Sequence, residues 1–385
     1  MTQLSIIPSA PSAAGYIISG IISLMLVLCV WRIRRCPHKL TKEGIFVALF
    51  LCFIFYMFAM MGTDYYDYKE WVEKAGYTDI NAIPFYYEHY EKPYYVIINM
   101  VQNNYFLFRL VVWGGSLLLY WQTAKRLELD KSTFVFYLCI CIVQLTAISR
   151  VCLAYALAFY GFSFIVKPIR RRKLISYVMG TCVILFSLLF HRSAIFLLAV
   201  LPISLFNINK KTIIIIALAL PFIVVAMNTD LFDFLLNFDQ TEDSLLDSNT
   251  AVSYLGTDKQ RVVGVAQMIE FFMKYGSHVV LTILIVKSIL NRSYTRWPVH
   301  MQKYANATLF IVVLASALLF TPGAATYKTF ERLIGFAYVP QSYWLAYILK
   351  LDNEKKMIKL FNMLMVGYVI YGTLYYNFYF AITDF

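Results

Sequence analysis

Apolar residues fall in long unbroken runs along the chain, with neither the narrow stripe of an amphipathic helix nor the alternation of a strand. From Tyr16 almost to the C-terminus, runs of about 14 to 20 apolar residues are separated by short polar breaks. They lie at about residues 16–31, 44–61, 105–121, 132–148, 151–166, 174–190, 193–206, 212–228, 264–286, 304–320, 333–349 and 360–379. A bilayer core of about 30 Å takes about 20 apolar residues per helix. The pattern therefore predicts an all-α polytopic membrane protein of about 12 transmembrane helices. A single integral domain over 1–385 leaves no room for a separate soluble one. The seventh run is short, and the ninth is interrupted by Glu270, Lys274 and His278.

Two connections are long, at 62–104 and 228–263. Long loops are common places to build a site. The first is dense in Tyr, including Tyr65, Tyr68, Tyr86, Tyr87 and Tyr90. Its tail from Tyr94 to Asn104 is apolar but too short to span, so it is expected to lie in the interface as a half-helix.

Composition agrees with this pattern. Hydrophobic residues make up 60% of the chain and charged residues 15%, and mean hydropathy is +0.64. These values exclude a soluble globular enzyme, a disordered scaffold and a fibrous protein. The net charge of +12 would suggest nucleic acid, but its placement decides otherwise. Basic residues crowd alternate loops. Arg32, Arg34, Arg35, Lys39 and Lys42 are followed by Lys125, Arg126 and Lys131, then by Lys167 and Arg170 to Lys173. The set continues through Lys210 and Lys211, Lys287 to Lys303, and Lys350 to Lys359. Those loops hold only Glu43, Glu128, Asp130, Asp352 and Glu354 of the 22 acidic residues. By the positive-inside rule they are cytoplasmic, which puts both termini and both long loops outside. The charge is then a topology signal, and no nucleic-acid partner is implied.

No basic segment precedes the first run, which is expected to stay as an anchor. The seven cysteines form no disulfide framework. No metal-ligand spacing appears, and no phosphate-binding loop suggests ATP-driven pumping.

The informative residues are ionisable ones at the outer ends of helices, where charge is expensive. Asp64 and Asp67 follow the second run, Arg109 sits one turn into the third, and Arg150 opens the fifth. His191 and Arg192 lie between the sixth and seventh, and Glu331 and Arg332 open the eleventh. Four arginines thus converge on a face whose loops are otherwise acidic. A guanidinium fork binds phosphate bidentately. Structural alternatives stand beside each reading. A terminal Arg can snorkel to headgroups, His191 can be a satisfied core histidine, and Asp64 a turn residue. The tyrosines can form an aromatic belt or stack on sugars. Glu270, Lys274 and His278 share one helical face, either lining a cavity or, for the first two, pairing.

Five segments resemble the EpsG branch of the Wzy-like polysaccharide polymerases. Gly62-Thr63-Asp64-Tyr65 with Tyr68 is similar to the family's G-x-D-Y-x-x-Y. Glu91-Lys92-Pro93-Tyr94 resembles E-x-G-Y, with Pro93 in place of the Gly. Arg150 to Ala154 resembles R-x-x-L-A, Phe190 to Ala194 resembles F-H-x-S-A, and Glu331-Arg332-Leu333 resembles a late E-R-L. The resemblance implies a bundle like that of GT-C enzymes and O-antigen ligases. It implies a bacterial plasma-membrane glycosyltransferase that joins undecaprenyl-pyrophosphate-linked oligosaccharides on the outer leaflet. Arg150, Arg192, Arg332 and Arg109 would hold the pyrophosphate. His191 or Asp64 would act as general base, and Tyr65, Tyr68, Glu91 and Glu331 would contact substrate. No cofactor and no metal is implied. Membrane lipid, a flippase and a chain-length regulator are the candidate partners. The rival readings are an O-antigen ligase or other GT-C enzyme, a lipid-linked oligosaccharide flippase, and a membrane O-acetyltransferase.

Overall fold

A computed structural model describes residues 13–34, 39–58, 64–75, 79–83, 91–147, 149–191, 194–227, 265–319, 324–349 and 355–374. The second long loop, 228–263, lies outside the described residues. Among those described, the chain is all-helical and forms no strand. The helices are α1 (Ala13–Ile33), α2 (Lys42–Phe58), α3 (Asp64–Lys74), α4 (Lys92–Met100), α5 (Tyr105–Arg109), α6 (Gly115–Arg126), α7 (Lys131–Ala147) and α8 (Ser149–Val166). They continue as α9 (Lys173–Ser187), α10 (Ile195–Ser204), α11 (Lys210–Met227), α12 (Val265–Leu290), α13 (Val299–Leu319), α14 (Ala324–Ile348) and α15 (Lys355–Leu374).

Each apolar run carries a helix. The third is α5 and α6 joined through a π-helical turn, Leu110–Gly114. The interruption in the ninth run does not break α12, because Glu, Lys and His are tolerated in a helix. α14 begins at Ala324, so Glu331 and Arg332 lie two turns inside it rather than opening it. Among the described residues, no helix is long and apolar enough to cross a membrane.

The core is built on α7, α8, α13 and α14. Every residue from Phe134 to Cys141 is buried, as is every residue from Ile334 to Ala346. A helix apolar all round must be covered all round. Phe134 stacks on Tyr343 with ring centroids 5.5 Å apart, and the Tyr304 hydroxyl donates to the Phe159 carbonyl at 2.9 Å. Trp344 Nε1 donates to Thr308 Oγ1 at 2.9 Å. α1, α2, α9 and α11 lie at the periphery with exposed apolar faces, among them Ile17, Leu24, Phe46, Phe50, Leu174, Val178, Ile215 and Leu218.

Five of the basic loops meet at one end. Ser132 Oγ donates to the Leu40 carbonyl at 3.4 Å, Arg126 to the Lys167 carbonyl at 2.7 Å, and Lys167 pairs with Glu128 at 2.9 Å. Lys303 Nζ donates to Asn207 Oδ1 at 2.7 Å, and the Asn306 amide to the carbonyls of Ser204 and Phe206. His300 stands near the Lys167–Glu128 pair, ahead of the apolar stretch 304–320. Burial first, and the Lys167 ammonium second, lower its pKa to about 4. Lys167 also holds the Glu128 carboxyl below its ordinary value.

Candidate functional site

The opposite end is organised around Tyr94. Glu91 precedes α4 in extended conformation, with φ −67° and ψ 148°. Pro93 sits in the first turn, where a missing N–H costs no hydrogen bond. That position gives Pro93 a local reason to stand where the family pattern has Gly. Tyr94, Tyr95 and Ile98 form the buried face of α4. The chain then turns through Gln102 and Asn103 in the left-handed region, at φ 52° and 57°. Asn104 caps α5, its side chain accepting from the Leu107 N–H at 3.1 Å.

The Tyr94 ring packs on Phe108, with centroids 6.1 Å apart, and edge-on against Phe190 at 5.7 Å. Phe108 precedes Arg109, and Phe190 precedes His191. One aromatic contact set therefore joins the α4 segment, the α5 segment and the turn between α9 and α10. Glu91, Arg109 and His191 are all buried, at 7%, 4% and 8% exposure. The Arg109 guanidinium lies 3.9 Å from the Trp113 ring centroid, where the ring quadrupole attracts the cation. Its Nη1 reaches the Tyr105 hydroxyl at 3.5 Å. Trp113 belongs to the π-helical turn, a feature frequent at functional sites. His191 follows a tight turn in which the Phe190 N–H bonds to the Ser187 carbonyl, and its own carbonyl accepts from the Ala194 N–H at 3.0 Å.

Asp64, Tyr65 and Tyr68 are in the first turn and a half of α3, where only their backbone is described. α3 packs against α5, the helix that ends in Arg109. Lys69, the residue after Tyr68, is buried at 3% exposure and pairs with Glu73 at 3.8 Å. Sequence reasoning missed Lys69 and Trp113. The i, i+4 spacings of Lys69 with Glu73 and of Arg109 with Trp113 were readable signals. Tyr94 was readable as the Tyr of the E-x-G-Y-like segment, but its ring contacts were not, because its partners are remote in sequence.

The backbones of Arg150 and Arg332 reach the same end. Tyr155 of α8 lies against Phe336 of α14. Further along, both helices approach Tyr304, through Phe159 and Phe162 on α8 and Tyr343 on α14. The two helices therefore run in the same direction, and Tyr304 adjoins the Lys303 contact at the basic end. Arg150 is five residues and Arg332 four residues before the crossing, roughly 6 to 8 Å of helix towards the other end. His191 is set level with Arg150 by a backbone contact. A Cβ on Gly161 would meet the Gly180 carbonyl oxygen at 2.7 Å, and one on Gly180 would meet that of Gly161 at 2.7 Å. Counting ten residues from this pair along antiparallel α8 and α9 reaches Val151 and Phe190.

Arg192 lies outside the described residues. The side chains of Arg150, Glu331, Arg332, Glu270 and Lys274 are likewise outside them. His278 is fully buried against the Tyr338 ring, with centroids 4.6 Å apart. Among the described residues, no three His, Cys, Asp or Glu side chains form a group that could hold a metal ion.

Comparison with known proteins agrees with this arrangement of motifs. No curated protein and no solved structure matches the chain. A family model does match it, over residues 44–383, which contain every segment of the candidate site, and the chain belongs to the EpsG family.

Proposed function

We propose that the protein is a membrane-embedded polysaccharide polymerase that joins lipid-pyrophosphate-linked oligosaccharide units at the end marked by Tyr94. Family membership suggests a polymerase-like role in polysaccharide synthesis. The observation that carries the finer reading is the shared aromatic contact of Tyr94. It brings Phe108 and Phe190, the chain neighbours of the buried Arg109 and His191, against one ring, which supports a shared site.

The chemistry follows from the bonds that change. An acceptor hydroxyl oxygen forms a bond to the anomeric carbon of the donor glycan, and the bond from that carbon to the pyrophosphate oxygen breaks. Charge develops on the pyrophosphate, so fixed cations stabilise the transition state. Arg109, Arg150, Arg192 and Arg332 supply them. The hydroxyl proton passes to a general base, His191 or Asp64, and the other orients the acceptor. Glu91, Glu331, Tyr65 and Tyr68 contact the sugars in this reading. The donor is already activated, so turnover in excess chelator is expected.

Membrane embedding rests on the bundle's outer surface rather than on any one helix. Large apolar side chains of α1, α2, α9 and α11 are exposed around the periphery, far beyond the patches a soluble monomer presents. The basic loops gather at one end, which supports the positive-inside orientation and an outward-facing site. Single cysteines at Glu73 and Arg171 test it in cells freed of other reactive cysteines. Position 73 should label from outside, and labelling of position 171 from outside would reverse the orientation.

The decisive assay supplies purified protein with lipid-pyrophosphate-linked repeat units. A ladder of lipid-linked polymers is expected. A single addition would indicate a ligase or other GT-C enzyme, and translocation without bond formation would indicate a flippase.

A further inference from the structure

A second site lies at the other end of the molecule. α1 and α2 pack together, and between them opens a groove of about 1130 Å³ facing the bundle's exterior. Its walls are apolar: Met25 and Leu28 on α1 and Val47 on α2 are each about half exposed within it. Apolar side chains held open in this way need a covering. The rim at the basic end is charged instead, with Arg32 from the last turn of α1 and Lys39 just before α2. Trp31 stands at the same level, with the Arg34 guanidinium 3.3 Å over its ring. An indole at the boundary between an apolar wall and charged groups suits a membrane interface.

We infer that this groove binds one anionic phospholipid, its phosphate between Arg32 and Lys39 and an acyl chain along Met25, Leu28 and Val47. The inference rests on the membrane embedding proposed above and is independent of the polymerase chemistry. Charge selects the headgroup, because basic pockets between helices on the cytoplasmic side attract anionic lipid. The start of α2 adds to this. Thr41 caps it, accepting from the Gly44 N–H at 3.2 Å, and a helix N-terminus favours a negative group. Glu43 is the one carboxylate on the rim. Its own backbone N–H first, and the Thr41 hydroxyl second, hold its carboxyl below the ordinary value, and two cations against one carboxylate leave the rim net positive. A soluble anion would use the rim and leave the walls bare. A zwitterionic lipid such as phosphatidylcholine would cover the walls and bring a phosphate, but its own ammonium would offset that charge and be repelled by the two cations. A phospholipid with net negative charge meets both.

The test uses the full-length protein in detergent micelles, titrated with phosphatidylglycerol or phosphatidylcholine and followed by native mass spectrometry and thermal unfolding. Phosphatidylglycerol should bind at least tenfold more tightly and raise the melting temperature. The double variant Arg32→Gln/Lys39→Gln should weaken it by roughly fivefold per charge, about 25-fold in all. Arg32→Lys/Lys39→Arg should retain binding, because charge is the determinant. Arg170→Gln/Arg171→Gln, at the same end but away from the groove, should change nothing. Val47→Trp should displace the lipid while leaving the rim charges in place. Equal affinity for the two lipids, or a double Gln variant that binds normally, overturns the inference. So does equal stabilisation by glycerol phosphate alone, or lipid retained by Val47→Trp. Release of the protein from membranes by alkali without detergent would overturn embedding, and the site with it. A protein that stays in the membrane without lipid preference would overturn the site alone.

Discussion

The two ends of the bundle handle charge in opposite ways. At the basic end, cations are bound to backbone carbonyls and side-chain oxygens close by: Arg126 to Lys167, Lys303 to Asn207 and Phe206, Lys167 to Glu128. These bonds tie one loop to the next. At the other end, Arg109, Glu91, His191 and Lys69 are buried, with Arg109 over the Trp113 ring and His191 next in sequence to Phe190, which packs on Tyr94. Burying ionisable groups is expensive, and proteins concentrate that expense where charge does chemistry. The contrast separates charge that fixes architecture from charge poised to act. It yields predictions that can break the separation.

The largest effect is expected at the arginines. Arg150→Ala or Arg332→Ala should abolish polymer formation while the protein still folds and accumulates. Arg→Lys should rescue poorly, because an ammonium does not reproduce the guanidinium fork. Full activity in both Lys variants, read by polymer ladders, would show that the geometry is irrelevant.

Next in size is His191. Loss of a general base typically lowers rate by about 10² to 10⁴-fold. His191→Ala should fall in that range, with donor affinity little changed, and His191→Gln should be nearly as poor. Near-normal turnover in the Gln variant would make His191 a positioning residue and move the base to Asp64.

At the basic end the same kind of change should act on stability instead. Lys303→Ala removes a donor to the Phe206 carbonyl and to Asn207, and should cost roughly 1–3 kcal/mol by denaturant melts. Activity per folded molecule should stay within about twofold. A hundredfold fall in specific activity would erase the distinction between the ends.

The smallest effect is an acid sensitivity. His300 has its pKa lowered to about 4, from 6.5, by burial and by Lys167. The unfolded chain therefore takes up the proton first as pH falls. Stability from neutral His300 is fully present above about 6.5, declines between there and about 4, and levels off below. His300→Gln should flatten that part of the pH–stability curve by roughly 1–2 kcal/mol after allowance for solvent screening. An unchanged curve would mean that the imidazole is not the titrating group.

The positions of the helices were legible because unbroken apolar runs leave few other arrangements for the backbone. The gathering of basic loops follows from the parity of those runs, a property of one-dimensional order. The first long loop was only half legible. Its apolar tail predicted a half-helix over Tyr94 to Asn104, and the structure sets α4 at Lys92–Met100. α3 went unread because six of its 11 residues are charged, so it makes no apolar run. The π-helical turn after Arg109 was hidden for another reason. The turn packs against both α2 and α8, contacts that no local spacing encodes. Among the candidate residues, the charge pattern at helix ends picked out Arg109 and the motifs picked out His191 and Tyr94, but not the ring contacts that join their segments.

The glycine pair between α8 and α9 has a consequence at a distance. Both carbonyls fill the space where the opposite residue would carry a methyl group. Any larger residue must push the two rods apart or slide them. The displacement would emerge about ten residues away, roughly 15 Å along the axis, where one rod starts at Arg150 and the other leads into the His191 turn. The alignment of the His191 turn with the start of α8 at Arg150, the base and the cation of the proposed reaction, is then gauged like a caliper from its far pivot. A methyl group at Gly161 would detune chemistry that it never touches.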